Sequence, residues 1–221
     1  RQRDLSEACR EYVVKWSVLL GGCSSGVMGV LAETPEPVAR TIQYYVARTV
    51  TVPATVEGVA TSWNAQNSIL AMLGYGDRIV GTTKLVRDMP LFRQFVPSIT
   101  QASLVAHSGN MGINTEALIS RRAQVFFVSD SVPVAEAEAL NKAGIAIVPL
   151  RYNSLAAMVE RTLITGEVLG PDASRRAQDF AADYQDNVRR VTEVIQRIPS
   201  QQRVKVYHAV GDSLTTSGRP S

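Results

Sequence analysis

The chain has 221 residues, of which 45% are hydrophobic, and a formal net charge of +3. This length and apolar share are typical of a soluble globular protein with a sizeable core. The basic residues are scattered and not interleaved with aromatic residues, so the composition does not favour nucleic-acid binding. Both cysteines, Cys9 and Cys23, precede the globular region, so no disulfide framework is expected.

Residues 1–32 have the composition of a leader segment. Several basic residues precede an apolar, small-residue stretch (16–32), which is too short and too rich in glycine to span a membrane comfortably. Such a stretch is typical of a secretory signal. Two processing sites stay open. The VLA sequence that ends at Ala32 fits signal cleavage, whereas the LGGC sequence that ends at Cys23 resembles a lipobox and makes Cys23 a candidate for lipid attachment.

The globular region is predicted to begin with extended structure. Residues 38–52 are rich in β-branched and aromatic side chains, which indicates an edge strand or a hairpin before Pro53. A strand (56–60), a helix (63–73) and a second strand (78–81) are predicted next, because two apolar runs bounded by turn residues flank a helical segment.

A parallel sheet is the economical fold, because strands and helices continue to alternate along the chain. Ligands bind at the carboxyl ends of the strands in such sheets, so the loops after the strands form the candidate site. The remaining elements are predicted, in chain order, as a loop with a short helical turn (88–97), a strand (99–105), a turn or binding loop (107–112), a helix capped by Asn114 and ending near Arg121, a strand (124–129), a helix (131–142), a strand (145–150) and a helix capped by Ser154 (155–169).

The longest helical pattern lies in residues 171–199. Apolar side chains recur at steps of three and four from Phe180 to Ile198, and charged side chains fill the other faces. Pro199 is predicted to end this helix, and one more strand (204–208) follows.

The predicted fold class is α/β. A Rossmann-like lobe with a parallel sheet (33–170) is followed by the long helix, which we interpret as an interlobe helix. A single strand followed by a polar loop buries little apolar surface, so we expect residues 200–221 to begin a second lobe of which the chain holds only the first strand.

The order of these elements resembles the periplasmic substrate-binding proteins of ABC importers for ferric siderophores, haem and cobalamin. The likeness extends over roughly residues 50–221, and it depends on the order and spacing of its motifs more than on any one of them. The passages that resemble the family are GDRIVG (76–81), GINTEAL (112–118), the strand and helix start at 143–150 and 154–155, the long helix (175–199), and the strand and loop at 204–218 that contain LTTSG.

This resemblance implies two lobes that close around one ligand, with a long helix limiting the hinge. The implied function is capture of an iron chelate, a ferric siderophore, and its delivery to an ABC permease and its ATPase in the inner membrane. The protein would be monomeric and periplasmic, or anchored as a lipoprotein facing the periplasm. It would use no cofactor and catalyse no reaction.

The resemblance also implies which residues face the ligand. Trp63 would stack on a flat chelate, and Lys84 and Arg151 would pair with an anionic ferric chelate. Glu116 lies where the first lobe carries the carboxylate that pairs with an arginine of the permease. The full set of implied ligand-binding residues is Trp63, Asn64, Lys84, Asn110, Met111, Arg151, Tyr152 and His208.

Several alternatives stay open. Haem, cobalamin or nickel could be the ligand, and His208 is the candidate metal ligand because histidine is the commonest transition-metal ligand. Asn110 stands where cobalamin binders tend to have tryptophan, which disfavours a corrin. An enzyme is disfavoured because the turn ATSWNAQN (60–67) has no glycine for a dinucleotide and no nucleophile elbow occurs. A domain that binds a protein partner is the remaining rival.

Overall fold

The computed structural model describes residues 39–45, 47–106, 112–129, 131–152 and 154–204, all within one unit of the chain, Pro37–Ser221. The predicted leader with Cys23, the loop residues Asn110 and Met111, and residues 205–208 of the last predicted strand, with His208, lie outside the described residues.

The described elements alternate between strands and helices, as predicted, after an initial pair of strands. In chain order they are β1 (Arg40–Tyr44), β2 (Arg48–Val52), β3 (Val59–Thr61), α1 (Asn64–Met72), β4 (Ile79–Thr83), α2 (Lys84–Asp88), α3 (Pro90–Phe95), β5 (Ser103–Ala106), α4 (Thr115–Ser120), β6 (Val125–Val128), α5 (Val134–Lys142), β7 (Ala146–Pro149), α6 (Leu155–Leu169) and α7 (Pro171–Gln196), with short 3₁₀ turns at Gly76–Arg78, Pro97–Gln101 and Ser200–Gln202.

Five strands form one parallel sheet in the order β5-β4-β3-β6-β7. The strand β3 lies at the centre, where Val59 is opposite Ile79 of β4 on one side and Val125 of β6 on the other. The strand order reverses at β3: β4 and then β5 are added on one side of β3, and β6 and then β7 on the other side. The predicted parallel α/β sheet is confirmed.

The core fills both faces of this sheet. All four residues of β6 are buried, and they alternate between two apolar clusters. Phe127 packs with residues of α1, α6 and the hairpin, whereas Phe126 packs with Leu118 of α4 and Leu140 of α5. A continuous apolar run is the sequence expected of a strand covered by helices on both sides.

The strands β1 and β2 form an antiparallel hairpin, which confirms the second of the two predicted possibilities for residues 38–52. Tyr44 and Val52 are buried in the core. The Arg40 side chain donates hydrogen bonds to the carbonyl oxygens of Glu167 (2.9 Å) and Val168 (2.8 Å), in the last turn of α6. The hairpin is therefore held against the lobe by burial and by a cation at a helix C-terminus.

Three predicted boundaries are wrong. The segment 88–97, predicted as a loop with a short helical turn, is mostly helical, because Pro90 stands at the first position of α3, where its fixed φ suits a helix and its missing N–H costs nothing. The strand predicted at 99–105 begins at Ser103, because a 3₁₀ turn occupies Pro97–Gln101. The helix predicted to begin at Ser131 begins at Val134, because Pro133 keeps an extended ψ of 145°.

The helices α6 and α7 pack closely against each other. Ser154 caps α6 as predicted, and its Oγ accepts a hydrogen bond from the Ala157 N–H at 3.0 Å. A Cβ added at Gly166 would lie 2.7 Å from the Ala177 Cβ, so the two helices approach through small residues. Gly170 adopts a φ of +133°, which favours glycine, at the corner between them.

The helix α7 has 26 residues and ends at Gln196, three residues before Pro199. Its first turns are buried through Ala173, Ala177 and Ala181, but Val191 and Ile195 further along are 58% and 44% exposed. The predicted apolar stripe is present, and among the described residues only the first half of the helix packs against the lobe.

Within the described part of the chain, no helix combines the length and apolar character needed to cross a membrane.

Candidate ligand-binding site

The candidate site lies at the carboxyl edge of the sheet. Trp63 follows β3, Lys84 follows β4, and Arg151 follows β7. Because these strands are parallel and β3 is next to β4, their last residues meet at one edge. Trp63, Lys84 and Arg151 therefore lie on the same side of the lobe. Each of them contacts a different group of neighbouring residues.

Trp63 is half-buried between Tyr152, another candidate residue, and Arg161. Its backbone N–H donates to the Thr61 Oγ1 at 3.0 Å, which fixes the turn from β3 into α1. Its ring centroid lies 5.6 Å from that of Tyr152, at an interplanar angle of 56°. The Arg161 Cζ lies 4.2 Å from the Trp63 ring centroid, within the range of a cation–π contact.

Buried hydrogen bonds hold α1 to the end of β4. The Thr82 Oγ1 donates to the Asn67 Oδ1 at 2.8 Å, and both residues are fully buried. The Thr83 Oγ1 donates to the Asn64 Oδ1 at 2.5 Å. The side-chain oxygen of Asn64, a predicted ligand-binding residue, therefore connects the segment after β3 to the end of β4.

Thr82→Val is expected to lower the free energy of unfolding by about 1–3 kcal/mol, because it leaves the buried Asn67 Oδ1 without its donor. Urea unfolding followed by circular dichroism measures this change. Thr41→Val on the exposed face of the hairpin is the matched control and should change stability little. Equal effects of the two substitutions would contradict a structural role for the buried bond.

Lys84 is exposed and bound to Asp88, one turn further along α2. Arg93 and Arg87 lie 3.2 and 3.8 Å from the same carboxylate, measured from Nη2 and Nε. The hydrogen bond from Lys84 holds the pKa of Asp88 below its usual value. Three cations share one carboxylate, so this corner of the edge keeps an excess of positive charge.

Arg151 packs on the hairpin. Its backbone N–H donates to the Tyr45 hydroxyl at 2.8 Å, and its Cζ lies 4.3 Å from the Tyr45 ring centroid. Burial raises the pKa of Tyr45. The side chains of Arg151 and Tyr152 are exposed and border a cavity of about 1160 Å³ between the hairpin, β7 and α5.

Two residues of this edge were missed from the sequence. Arg161, in the first half of α6, is 8% exposed, and burial lowers its pKa. The signal was present, because Arg161 is in helical register with the buried Ala157, Ile164 and Val168. Tyr45 carries no such signal, since its contact with Arg151 spans 106 positions of the chain.

Glu116 is exposed in the first turn of α4. The Asn114 Oδ1 accepts a hydrogen bond from the Ala117 N–H at 2.9 Å, as predicted for the helix cap. Asn110, Met111 and His208 stay predictions, because they lie outside the described residues. Among the residues that are described, no group of three or more His, Cys, Asp or Glu side chains could hold a metal ion.

A parallel sheet with aromatic and cationic side chains at its carboxyl edge is the architecture of an α/β ligand-binding lobe. A family profile described as "Periplasmic binding protein" matches residues 59–217. This match covers more than half of the chain, so the chain belongs to that family, as the resemblance implied. Members of the family are non-enzymatic solute-binding proteins of transport systems, in agreement with the expectation that the chain is not an enzyme.

Several solved structures have a similar fold. A periplasmic solute binding protein of Veillonella parvula is 18% identical with a TM-score of 0.65, over 74% of this chain and 50% of that one. A molybdate periplasmic binding protein of Haemophilus influenzae is 15% identical with a TM-score of 0.66, over 78% and 59%. A triscatecholate siderophore binding protein of Bacillus subtilis is 16% identical with a TM-score of 0.55, over 73% and 53%.

The chain spans about half the length of these solved structures. No curated protein matches it. At such low identities the likeness shows the fold alone, and the ligands of these proteins differ from one another.

Proposed function

We propose that the chain belongs to the solute-binding component of an ABC import system, and that its ligand is an anionic iron chelate of the ferric siderophore type. The ligand would bind at the carboxyl edge of the sheet, between this lobe and a second lobe that begins after α7. The contacts of the edge would supply binding energy and orientation, with no chemical step.

The observation that carries this proposal is the group of aromatic and cationic side chains at the edge. Trp63 and Tyr152 offer rings whose centroids lie 5.6 Å apart, and Arg151 lies two residues after the end of β7. Lys84 and its neighbours add positive charge after β4. Aromatic faces suit a flat or catechol-bearing chelate, and guanidinium groups suit its oxygen anions.

The proposal includes export. Residues 1–32 would direct the protein to the periplasm, and Cys23 would anchor it if the lipobox is used. Mass spectrometry of the mature protein distinguishes the two processing sites. A diacylglyceryl group on Cys23 supports the anchor, whereas an N-terminus at Glu33 supports cleavage after Ala32.

Glu116 would pair with an arginine of the permease. Glu116→Arg is expected to lower transport in a reconstituted importer by roughly tenfold, because a like charge then faces the permease, while ligand affinity stays unchanged. Glu138→Arg, on the exposed face of α5, is the matched control. Equal transport by the two variants would contradict docking through Glu116.

A titration of the full-length protein tests the ligand class. The panel contains an anionic ferric tris-catecholate, a neutral ferric tris-hydroxamate, haem, cobalamin, nickel and molybdate, and tryptophan emission reports binding. We expect saturable quenching by the tris-catecholate at micromolar concentration or below. If only haem, cobalamin or nickel gave saturation, that compound would be the ligand and the proposal of a ferric siderophore would be wrong. If no compound changed the emission, the protein would bind none of the panel.

A further inference from the structure

Arg161 is a buried cation that lacks the partners a buried cation normally has. It is 8% exposed, and its Nε is buried without a hydrogen-bond partner. Among the described residues, no carboxylate lies within ion-pair distance of its guanidinium group. Buried charges are ordinarily paired, because removing a charge from water is costly.

The contact that Arg161 does make is with the candidate site. Its Cζ lies 4.2 Å from the ring centroid of Trp63, whose other neighbour is Tyr152. The titratable groups around it are Tyr45 of the hairpin, which is neutral near pH 7, and, beside Tyr45, Arg151 and Glu160, the residue before Arg161, whose side chains are exposed. The cation is therefore directed at the aromatic surface of the edge and not at a structural ion pair.

The turn of α6 that bears Arg161 is fixed to the helix that follows Trp63. The Gln66 Nε2 of α1 donates to the Thr165 Oγ1 at 2.9 Å, and the Thr165 Oγ1 donates to the Arg161 carbonyl oxygen at 2.7 Å. All three residues are buried. Trp63 immediately precedes α1, Arg161 lies on α6, and one buried hydrogen bond, from Gln66 to Thr165, joins the two helices, which limits the freedom of the stack.

We propose that Arg161 is a positioning and specificity-determining residue of this site: it holds the plane of Trp63 and gives the ring surface a positive potential that favours anionic ligands. This inference rests on the proposed binding function. A cation in a poorly solvated position acts over several ångströms with little screening, so it need not touch the ligand. The negative charge of a bound ligand would then compensate the positive charge of Arg161, which has no ion-pair partner within the described part of the lobe.

A quenching experiment tests the potential without knowledge of the ligand. The 221-residue chain with Trp16→Phe leaves Trp63 as its one tryptophan. Iodide, acrylamide and caesium report access for an anion, a neutral molecule and a cation. In Arg161→Met the ratio of iodide to caesium quenching constants should fall at least about threefold, with acrylamide quenching little changed. Arg190→Met, at an exposed arginine of α7, should leave the ratio unchanged.

A second variant separates charge from stacking. Arg161→Lys keeps a cation but loses the planar guanidinium group, so it should keep the preference for iodide while Trp63 becomes more mobile in time-resolved anisotropy. Arg161→Met should unfold at a urea concentration no lower than the parent chain, because it removes an unpaired buried charge. A strongly destabilised Arg161→Met chain with an unaltered quenching ratio would show a packing role and overturn the inference.

The same variants in the full-length protein extend the test to chelates. Arg161→Met should weaken binding of the anionic ferric tris-catecholate about tenfold more than binding of the neutral ferric tris-hydroxamate. The affinity for the tris-catecholate should also depend less on salt concentration in this variant. Equal losses for both chelates would overturn the inference and leave the binding function intact. If the parent protein bound neither chelate, the proposed ligand would be contradicted, and the quenching ratio alone would decide the role of Arg161.

Discussion

Phe126→Ala is expected to lower the free energy of unfolding by about 3–5 kcal/mol, the usual cost of removing a buried aromatic ring from a core. Phe126 is fully buried in β6, next to the central strand, and packs among Leu118, Leu140 and Ile145. These neighbours lie on α4, on α5 and just before β7, so they cannot all close on the space left behind. Since a domain has about 5–15 kcal/mol of net stability, the loss is a large part of the total.

Phe95→Ala is the matched control for this prediction. It removes the same side chain from α3, where Phe95 is 77% exposed, and should change stability by less than about 0.5 kcal/mol. Urea unfolding of both variants, followed by far-ultraviolet circular dichroism, measures the difference. Similar midpoints for the two variants would contradict the assignment of β6 to the core.

Trp63→Ala should weaken binding of the ferric tris-catecholate by about 30-fold, or roughly 2 kcal/mol, the size of loss found when a central aromatic contact is removed. Trp63 presents the ring surface between Tyr152 and Arg161, and it stands at the switch point of the strand order. Its removal also takes away the aromatic face on which Arg161 packs.

Trp63→Phe keeps a ring at the same position and should cost less than about fivefold in affinity. Isothermal titration calorimetry of the full-length protein gives both dissociation constants without a fluorescent reporter. Unaltered affinity in Trp63→Ala would exclude Trp63 from the site. An equal loss in both variants would instead indicate that the indole N–H, not the ring face, makes the contact.

Much of the lobe could be predicted because local signals agreed with the final packing. The run at 124–129 is apolar on both faces, and the strand β6 is buried on both faces. The Ser154 cap and the Gly170–Pro171 corner set the ends of α6 and the start of α7. In these segments propensity, capping and periodicity all indicate the same structure.

The errors have physical causes. The two prolines in residues 88–97 favour a loop, but Pro90 occupies the first position of α3, which tolerates proline. Arg161 was overlooked because an arginine within a helix is normally solvated, whereas this one occupies a buried position of α6.

The candidate site was predicted in outline only. That the residues following the strands would meet at one edge follows from a parallel sheet. That Tyr45 would contact Arg151, or that Arg161 would stack on Trp63, depends on how the hairpin and α6 pack on the sheet. Such contacts join distant parts of the chain, and no local pattern encodes them.

The most direct test of a binding site at the carboxyl edge is hydrogen–deuterium exchange of the full-length protein, measured with and without saturating ferric tris-catecholate. We expect slower exchange in peptides that cover residues 61–64, 83–85 and 150–152, where β3, β4 and β7 end. Peptides at the opposite ends of the same strands should exchange as before. Protection confined to those opposite ends, or to the exposed face of the hairpin, would contradict the account.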